Sequence, residues 1–316
     1  MSPGLVTLGE TMGLVVQGEP GSLRNGETMA FGMGGSESNV AIGVRRLGLP
    51  ATWIGRVGDD PPGHLILREL RAERVRAITV TDPAPTGLMI RWRPSGHHAR
   101  VTYYRHQSAG AHLRAADIPE DVIRDAAVLH VTGITLALGA EPAEAVAHAV
   151  AVARAAGVTV TFDLNYRLAL WSAEKAEPAL AQAVRQADVV FAGETEAEIV
   201  THTADPLRAA CALEEMMPTR PAQVLIKRGA HGCLARIDGA TLEQAAPTVA
   251  AVDTVGAGDA FVAGYLAELM NGADPHERLR TAVAAGAFAV TVSGDWEGMP
   301  DRHALEVLEA SEPVIR

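Results

Sequence analysis

The chain has 316 residues, 48% hydrophobic and 21% charged, the composition of a globular protein with a substantial core, which excludes disorder. At this length an α/β chain often forms one continuous core with an appended lid, so a single domain is expected. The formal net charge of -11 argues against a nucleic-acid partner, because duplex binding needs clustered Lys and Arg to neutralise phosphates; any anionic ligand must meet a local cationic pocket.

In chain order, Leu5 to Leu8 reads as a strand, and Ser36 to Leu47 as a helix with apolar residues at Val40, Ile42, Val44 and Leu47 before a stopping Gly48. A strand at Thr52 to Val57 and a helix from about Pro62 to Ala72 follow. Gly87 to Arg93 and Arg100 to Arg105, joined by Pro94, Ser95 and Gly96, suggest an antiparallel hairpin whose tip carries His97 and His98. From Ala127 the pattern alternates: strand 127–132, helix 142–156, strand 158–163, helix 175–187, strand 188–192. Ala126 to Leu138 reads as a buried strand running into a loop. Alternating βα units imply a mainly parallel sheet covered by helices on both faces. The early β-rich patches, about 12–33 and 86–107, can pair into a small lid over the carboxyl edge of that sheet, where open α/β sheets bind ligands. No internal repeat or linker-like segment interrupts the chain.

Cys211 and Cys233 are too few and too oddly placed for a disulfide framework or a zinc site, which fits a reduced compartment. No signal-type segment opens the chain and no run reaches the roughly 18 apolar residues of a membrane span. A cytoplasmic protein without a membrane partner is expected.

The strongest local motif is Asp253-Thr254-Val255-Gly256-Ala257-Gly258-Asp259-Ala260-Phe261, followed by a helical pattern to Met270. A small-residue turn entering a helix offers unpaired N–H groups and the positive end of the helix dipole to phosphate oxygens. Asp259 then sits where a carboxylate can take a hydroxyl proton. Equally, the segment is a plain helix start, with Gly256 and Gly258 making the turn and Asp259 favouring the dipole. It is not a P-loop, and it lacks the third glycine of a dinucleotide fingerprint. A second motif, Gly34-Gly35-Ser36-Glu37-Ser38-Asn39, places paired glycines where a ligand can approach the backbone and an amide where it can meet sugar hydroxyls. By itself it is more commonly a flexible turn with a cap.

Together, in this order and separation, the two segments resemble the signatures of the ribokinase-like (PfkB) family of carbohydrate kinases, from about Leu5 to Leu308. The resemblance implies a ribokinase-like three-layer αβα sandwich with a mainly parallel central sheet and a small β lid. Tyr103-Tyr104-Arg105, Ser108-Ala109-Gly110, Gly133-Ile134-Thr135, Asp163 to Arg167 with Trp171, and Asp295 to Gly298 resemble the 2-keto-3-deoxygluconate kinase subgroup. That resemblance puts Gly34, Tyr103, Arg105, Arg167, Asp259 and Asp295 around the substrate, and the second motif adds Gly35 and Asn39. The chemistry of the residues agrees, since two arginines match a sugar-acid carboxylate, whereas a neutral sugar needs none.

On the nucleotide side the resemblance implies that Asn165, Lys227, Gly229, Gly232, Gly256 and Gly258 border ATP, with Mg2+ met through water by Glu196. Lys227 is equally readable as a solvated strand-end charge. Gly193 stands where the family has an Asn, Met89 where the subgroup tends to have a Tyr, and Val283 where an Asn commonly lies near the adenine. Asp259 is the expected base, with the N–H groups of Gly256, Ala257, Gly258 and Asp259 stabilising the transferring phosphoryl group. The expected partners are ATP and a small sugar acid, with a homo-oligomer through the exposed lid edges. The competing expectations are a kinase of fructose, ribose or a nucleoside, or a non-catalytic sugar-binding sensor.

Overall fold

The structure, a computed structural model, describes residues 3–19, 21–95, 98–217 and 222–309. The first strand, β1 (Leu5–Leu8), is followed by β2 (Met12–Gln17), β3 (Met29–Gly34), α1 (Ser36–Arg46), β4 (Ala51–Gly58), α2 (Pro61–Ala72), β5 (Arg76–Asp82), β6 (Leu88–Ser95) and β7 (His98–Tyr104). After a short α3 (Glu120–Arg124) come β8 (Val128–Thr132), α4 (Gly133–Ala137), α5 (Ala140–Ala156), β9 (Thr159–Asp163), α6 (Ala173–Val184), β10 (Val189–Gly193), α7 (Glu194–Thr201) and α8 (Pro206–Met216). The chain ends with β11 (Gln223–Lys227), β12 (Cys233–Ile237), β13 (Ala240–Gln244), α9 (Ala257–Met270), α10 (Pro275–Ala289) and α11 (Arg302–Glu309).

The main sheet has nine strands in the order β13-β12-β11-β10-β9-β8-β1-β4-β5, parallel from β11 to β5 and antiparallel only where β12 and β13 join. Its central strands are buried on both faces, so side-chain alternation divides their residues between two cores. Val6, Leu8, Leu129, Val131, Val160, Phe162, Val190 and Ala192 pack against α5 to α8. Leu5, Val128, Val189, Phe191 and Leu225 face the other way, against α1, α2, α9 and α10. This is the three-layer αβα sandwich that the resemblance implies.

A second sheet, in the order β3-β2-β6-β7, is assembled from two stretches far apart in sequence. Its central contact is the parallel pairing of β2 with β6, Gly13 opposite Leu88 through Val16 opposite Arg91. Met12, Leu14 and Met89 form its own small apolar cluster, with Val16 and Tyr103 against it. The hairpin tip with His97 lies outside the described residues.

Two expectations differ. The segment after β8 is helical, not a loop, because the Thr132 hydroxyl accepts the Ile134 N–H and caps α4. The helix expected over 175–187 runs Ala173–Val184, so its start was set too late and its end too far; Pro178, within its second turn, does not stop it.

Candidate active site

The carboxyl ends of β8, β9, β10 and β11, the loop after β1, and the faces of Met89 and Tyr103 converge on a cavity of about 420 Å³. Asp259 lies in its wall, in the first turn of α9. Gly256 caps that helix with φ 76, and a Cβ there would collide with the Asp295 carbonyl, so the turn demands glycine. The opening N–H groups of α9 have no partner within the helix and point toward the cavity end of the dipole.

The two motifs legible in the sequence meet physically. Ser36 Oγ donates to Asp259 Oδ1 at 2.7 Å, and Asn39 Nδ2 donates to Asp259 Oδ2 at 2.9 Å. Asn165, held at φ 37, donates from Nδ2 to Ser36 Oγ at 2.6 Å. Asn39 therefore orients the carboxylate, and Asn165 extends the same chain of hydrogen bonds; both also line the cavity. Burial pushes the Asp259 carboxyl above the usual range; the bonds from Ser36 and Asn39 oppose this, Asp163 adds to the rise and Arg167 counters it.

Lys227 is no solvated strand-end charge: its Nζ lies 2.9 and 2.8 Å from the two oxygens of the buried Asp163. Burial works against its charge, but Asp163, Glu196 and Asp259 more than offset that, and its pKa is raised. Arg105 is likewise engaged, with Nε at 2.7 Å and Nη2 at 2.6 Å from Glu10 Oε2. Ser108 donates to the other Glu10 oxygen. Arg167 is exposed at the rim and donates to the Tyr166 carbonyl at 3.2 Å.

Asp295 completes the wall. Gly34 carries no side chain where a Cβ would collide with the Asp295 carboxylate and Met89, and a Cβ at Gly35 would lie 2.6 Å from the Glu10 carbonyl. The loop bearing Asp295 is tied down by Glu297, which accepts the Asp295 N–H at 2.9 Å, and by Arg46, which donates to the Met299 carbonyl at 2.7 Å. Burial pushes the Asp295 carboxyl up to about 7; Arg91 opposes the rise, while Asp259, Glu297 and Asp253 add to it.

A second cavity of about 430 Å³ adjoins the first, and Lys227, Thr254 and Gly258 line both. Gly229, Gly232 and Ala257 line it, with an apolar wall that includes Phe261, Val283 and Val290. Glu196 lies in the first cavity, where its oxygens accept the Gly193 N–H at 2.6 Å and the Tyr166 N–H at 3.0 Å. Among the described residues no group of three or more Asp, Glu, His or Cys forms a cation cage.

Sequence reasoning passed over Glu10, Ser36, Asp163 and Arg91. Ser36 and Asp163 stood inside the quoted motifs without a role. Arg91 was detectable by period-2 alternation, since it shares a strand face with Met89.

The model of the pfkB family of carbohydrate kinases matches residues 3–302, and the chain belongs to this family. It is 34% identical to the 2-dehydro-3-deoxygluconokinase of Bacillus subtilis (strain 168), over 98% of this chain and 96% of that protein. It is 37% identical to the 2-dehydro-3-deoxygluconokinase of Thermoproteus tenax, over 97% and 94% respectively. The crystal structure of Vibrio cholerae O395 fructokinase in a fructose, ADP and calcium ion bound form superposes with a TM-score of 0.84, at 27% identity, covering 98% of this chain and 99% of that one.

Proposed function

We propose that the protein transfers the γ-phosphoryl group of ATP to a hydroxyl of a small sugar acid, 2-keto-3-deoxygluconate being the expected acceptor and its 6-phosphate the product. The observation that carries this reading is the pair of cavities meeting at the N-terminus of α9, with Asp259 on the side of the first. The first is polar and lined by carboxylates and arginines; the second is apolar enough for a base ring. A phosphoryl group at their junction meets the N–H groups of Ala257, Gly258 and Asp259 and the positive charge of Lys227.

In this reading Asp259, aimed by Ser36 and Asn39, accepts the proton of the attacking hydroxyl. The N–H groups opening α9 stabilise charge on the transferring group. Asp295 accepts a hydrogen bond from the sugar, Tyr103 packs against it, and Gly34 and Gly35 let it approach the backbone. Since Glu10 occupies one edge of Arg105, Arg167 is the more available carboxylate partner. Gly229, Gly232 and Val283 border the nucleotide, whereas Asn165, expected beside ATP, lines the first cavity and acts on Asp259 through Ser36.

Glu196, whose two oxygens each accept one backbone N–H at the edge of the first cavity, would meet a divalent ion, Mg2+ in this reading, through water. The ion supplies charge neutralisation on the phosphates. The B. subtilis and T. tenax relatives favour the sugar acid, and the V. cholerae structure keeps fructose as the alternative acceptor. We place the reaction in the cytoplasm, consistent with free thiols at Cys211 and Cys233. Among the described residues no helix is long and apolar enough to cross a membrane.

ATP consumption measured against keto-deoxy sugar acids, fructose, ribose and nucleosides tests the substrate class. Arg167→Ala is expected to raise KM for the keto-deoxy sugar acid about tenfold or more while changing KM for a neutral sugar little. Equal effects on both would remove carboxylate recognition from the reading.

A further inference from the structure

We propose that Arg91 is a positioning residue: it clamps the four-stranded sheet onto the substrate wall by bridging Asp295 and Asp253, and so holds Asp295 as a hydrogen-bond acceptor. This rests on the function proposed above. Arg91 projects from β6 on the same face as Met89, and only 6% of its surface is exposed. Its Nη1 lies 3.1 Å from Asp253 Oδ2 and 3.4 Å from Asp295 Oδ1.

The two carboxylates sit on different loops, one leading into α9 and one following α10. Asp253 also accepts the Val255 N–H at 3.2 Å and the Gly294 N–H at 3.3 Å, which joins those loops to each other. The groups facing Asp295 are Arg91, Asp259, Glu297 and Asp253, and Arg91 is the cation among them. Without it, burial and then like charges drive Asp295 toward its protonated form, and the loop that precedes the N–H groups of Gly256 to Asp259 loosens. A protonated Asp295 donates where it should accept, which alters recognition of the sugar hydroxyl. The arginine therefore has two effects with one guanidinium: it fastens the sheet, and it lowers the proton affinity of a buried carboxylate, so that more of it is ionised near neutral pH.

The test is a carboxyl titration followed by 13C NMR on aspartate-labelled protein, with Asp295→Asn identifying the resonance. Wild type is expected to titrate near neutrality, Arg91→Gln at clearly higher pH, and Arg91→Lys between them. In kinetics, Arg91→Gln should raise KM for the sugar acid roughly tenfold, with a smaller change in kcat. The acid limb of kcat/KM should move to higher pH, and Arg91→Lys should restore part of it. An Asp295 titration unchanged in Arg91→Gln overturns the proposal. So does loss of activity in both Arg91 variants with an unmoved pH limb, which marks a merely structural arginine. The titration needs no substrate, so a shifted titration without turnover of any sugar acid overturns the functional reading alone.

Discussion

Asp259, the proposed base, is where the chemistry of that reading meets a folding cost. Two side chains of α1 aim its oxygens, and burial raises its pKa. Asp259→Asn keeps both neighbours and the volume, so it is expected to fold and bind ATP while losing about 10²- to 10⁴-fold in kcat. Steady-state kinetics beside a thermal melt checks this, and near-normal turnover would remove Asp259 from the role of base. Asp295 shows the stability side. A carboxyl that binds its proton more tightly when folded contributes stability below its unfolded pKa and loses it progressively as pH rises through the folded value. For Asp295 that window runs from 3.8 to about 7. Asp295→Asn should therefore raise the unfolding free energy more at pH 8 than at pH 5, by on the order of a few kcal/mol at the upper end, as read from urea unfolding, while activity falls at both. A larger gain at pH 5 would contradict the sign.

Helix α9 shows how an element sets the position of a residue. Phe261, Val262, Tyr265 and Leu266 are all buried, so the helix is apolar nearly all round and runs through the core. Such a helix cannot shift without moving its neighbours, and that rigidity fixes the N–H groups at its start. Gly264 allows the close approach of α10: a Cβ there would lie 2.9 Å from the Thr281 carbonyl and 3.0 Å from the Ala282 Cα. Gly264→Val is expected to destabilise by about 1–3 kcal/mol in urea unfolding. It should also depress kcat, because displacing α9 moves Asp259. Full stability in that variant would show that the two helices can separate freely. Tyr265 ties the same helix to the sheet, donating from its hydroxyl to Gln223 Oε1 at 2.6 Å.

At the scale of the molecule, the first cavity lies between the carboxyl edge of the nine-stranded sheet and the four-stranded one. Arg91 and the Arg105–Glu10 pair are polar ties across that gap among the described residues. If the smaller sheet acts as a lid, binding of the sugar acid should slow amide hydrogen exchange in β2 and β6, whereas ATP alone should act mainly near Gly229, Val283 and the start of α9. Equal protection of β2 and β6 by ATP alone would count against a sugar-side lid. Much of this architecture was legible: β8, α5 and β9 follow from periodicity, because their apolar residues fall at the spacing that burial requires. The hairpin β12–β13 was passed over although Asp238-Gly239 marks its turn, with φ 53 and 80 at the two residues. The sequence by itself determined the αβ alternation and the two motifs, Asp259 standing within one of them, because these depend on residue type and local spacing. Only the tertiary structure decided that Asn39 aims Asp259, that Glu10 occupies Arg105, that Lys227 is buried against Asp163, and that Arg91 stands between two carboxylates. Those are contacts between residues far apart in the chain, and in a close-packed interior a side chain's partner is set by how the sheets and helices pack rather than by its neighbours in sequence.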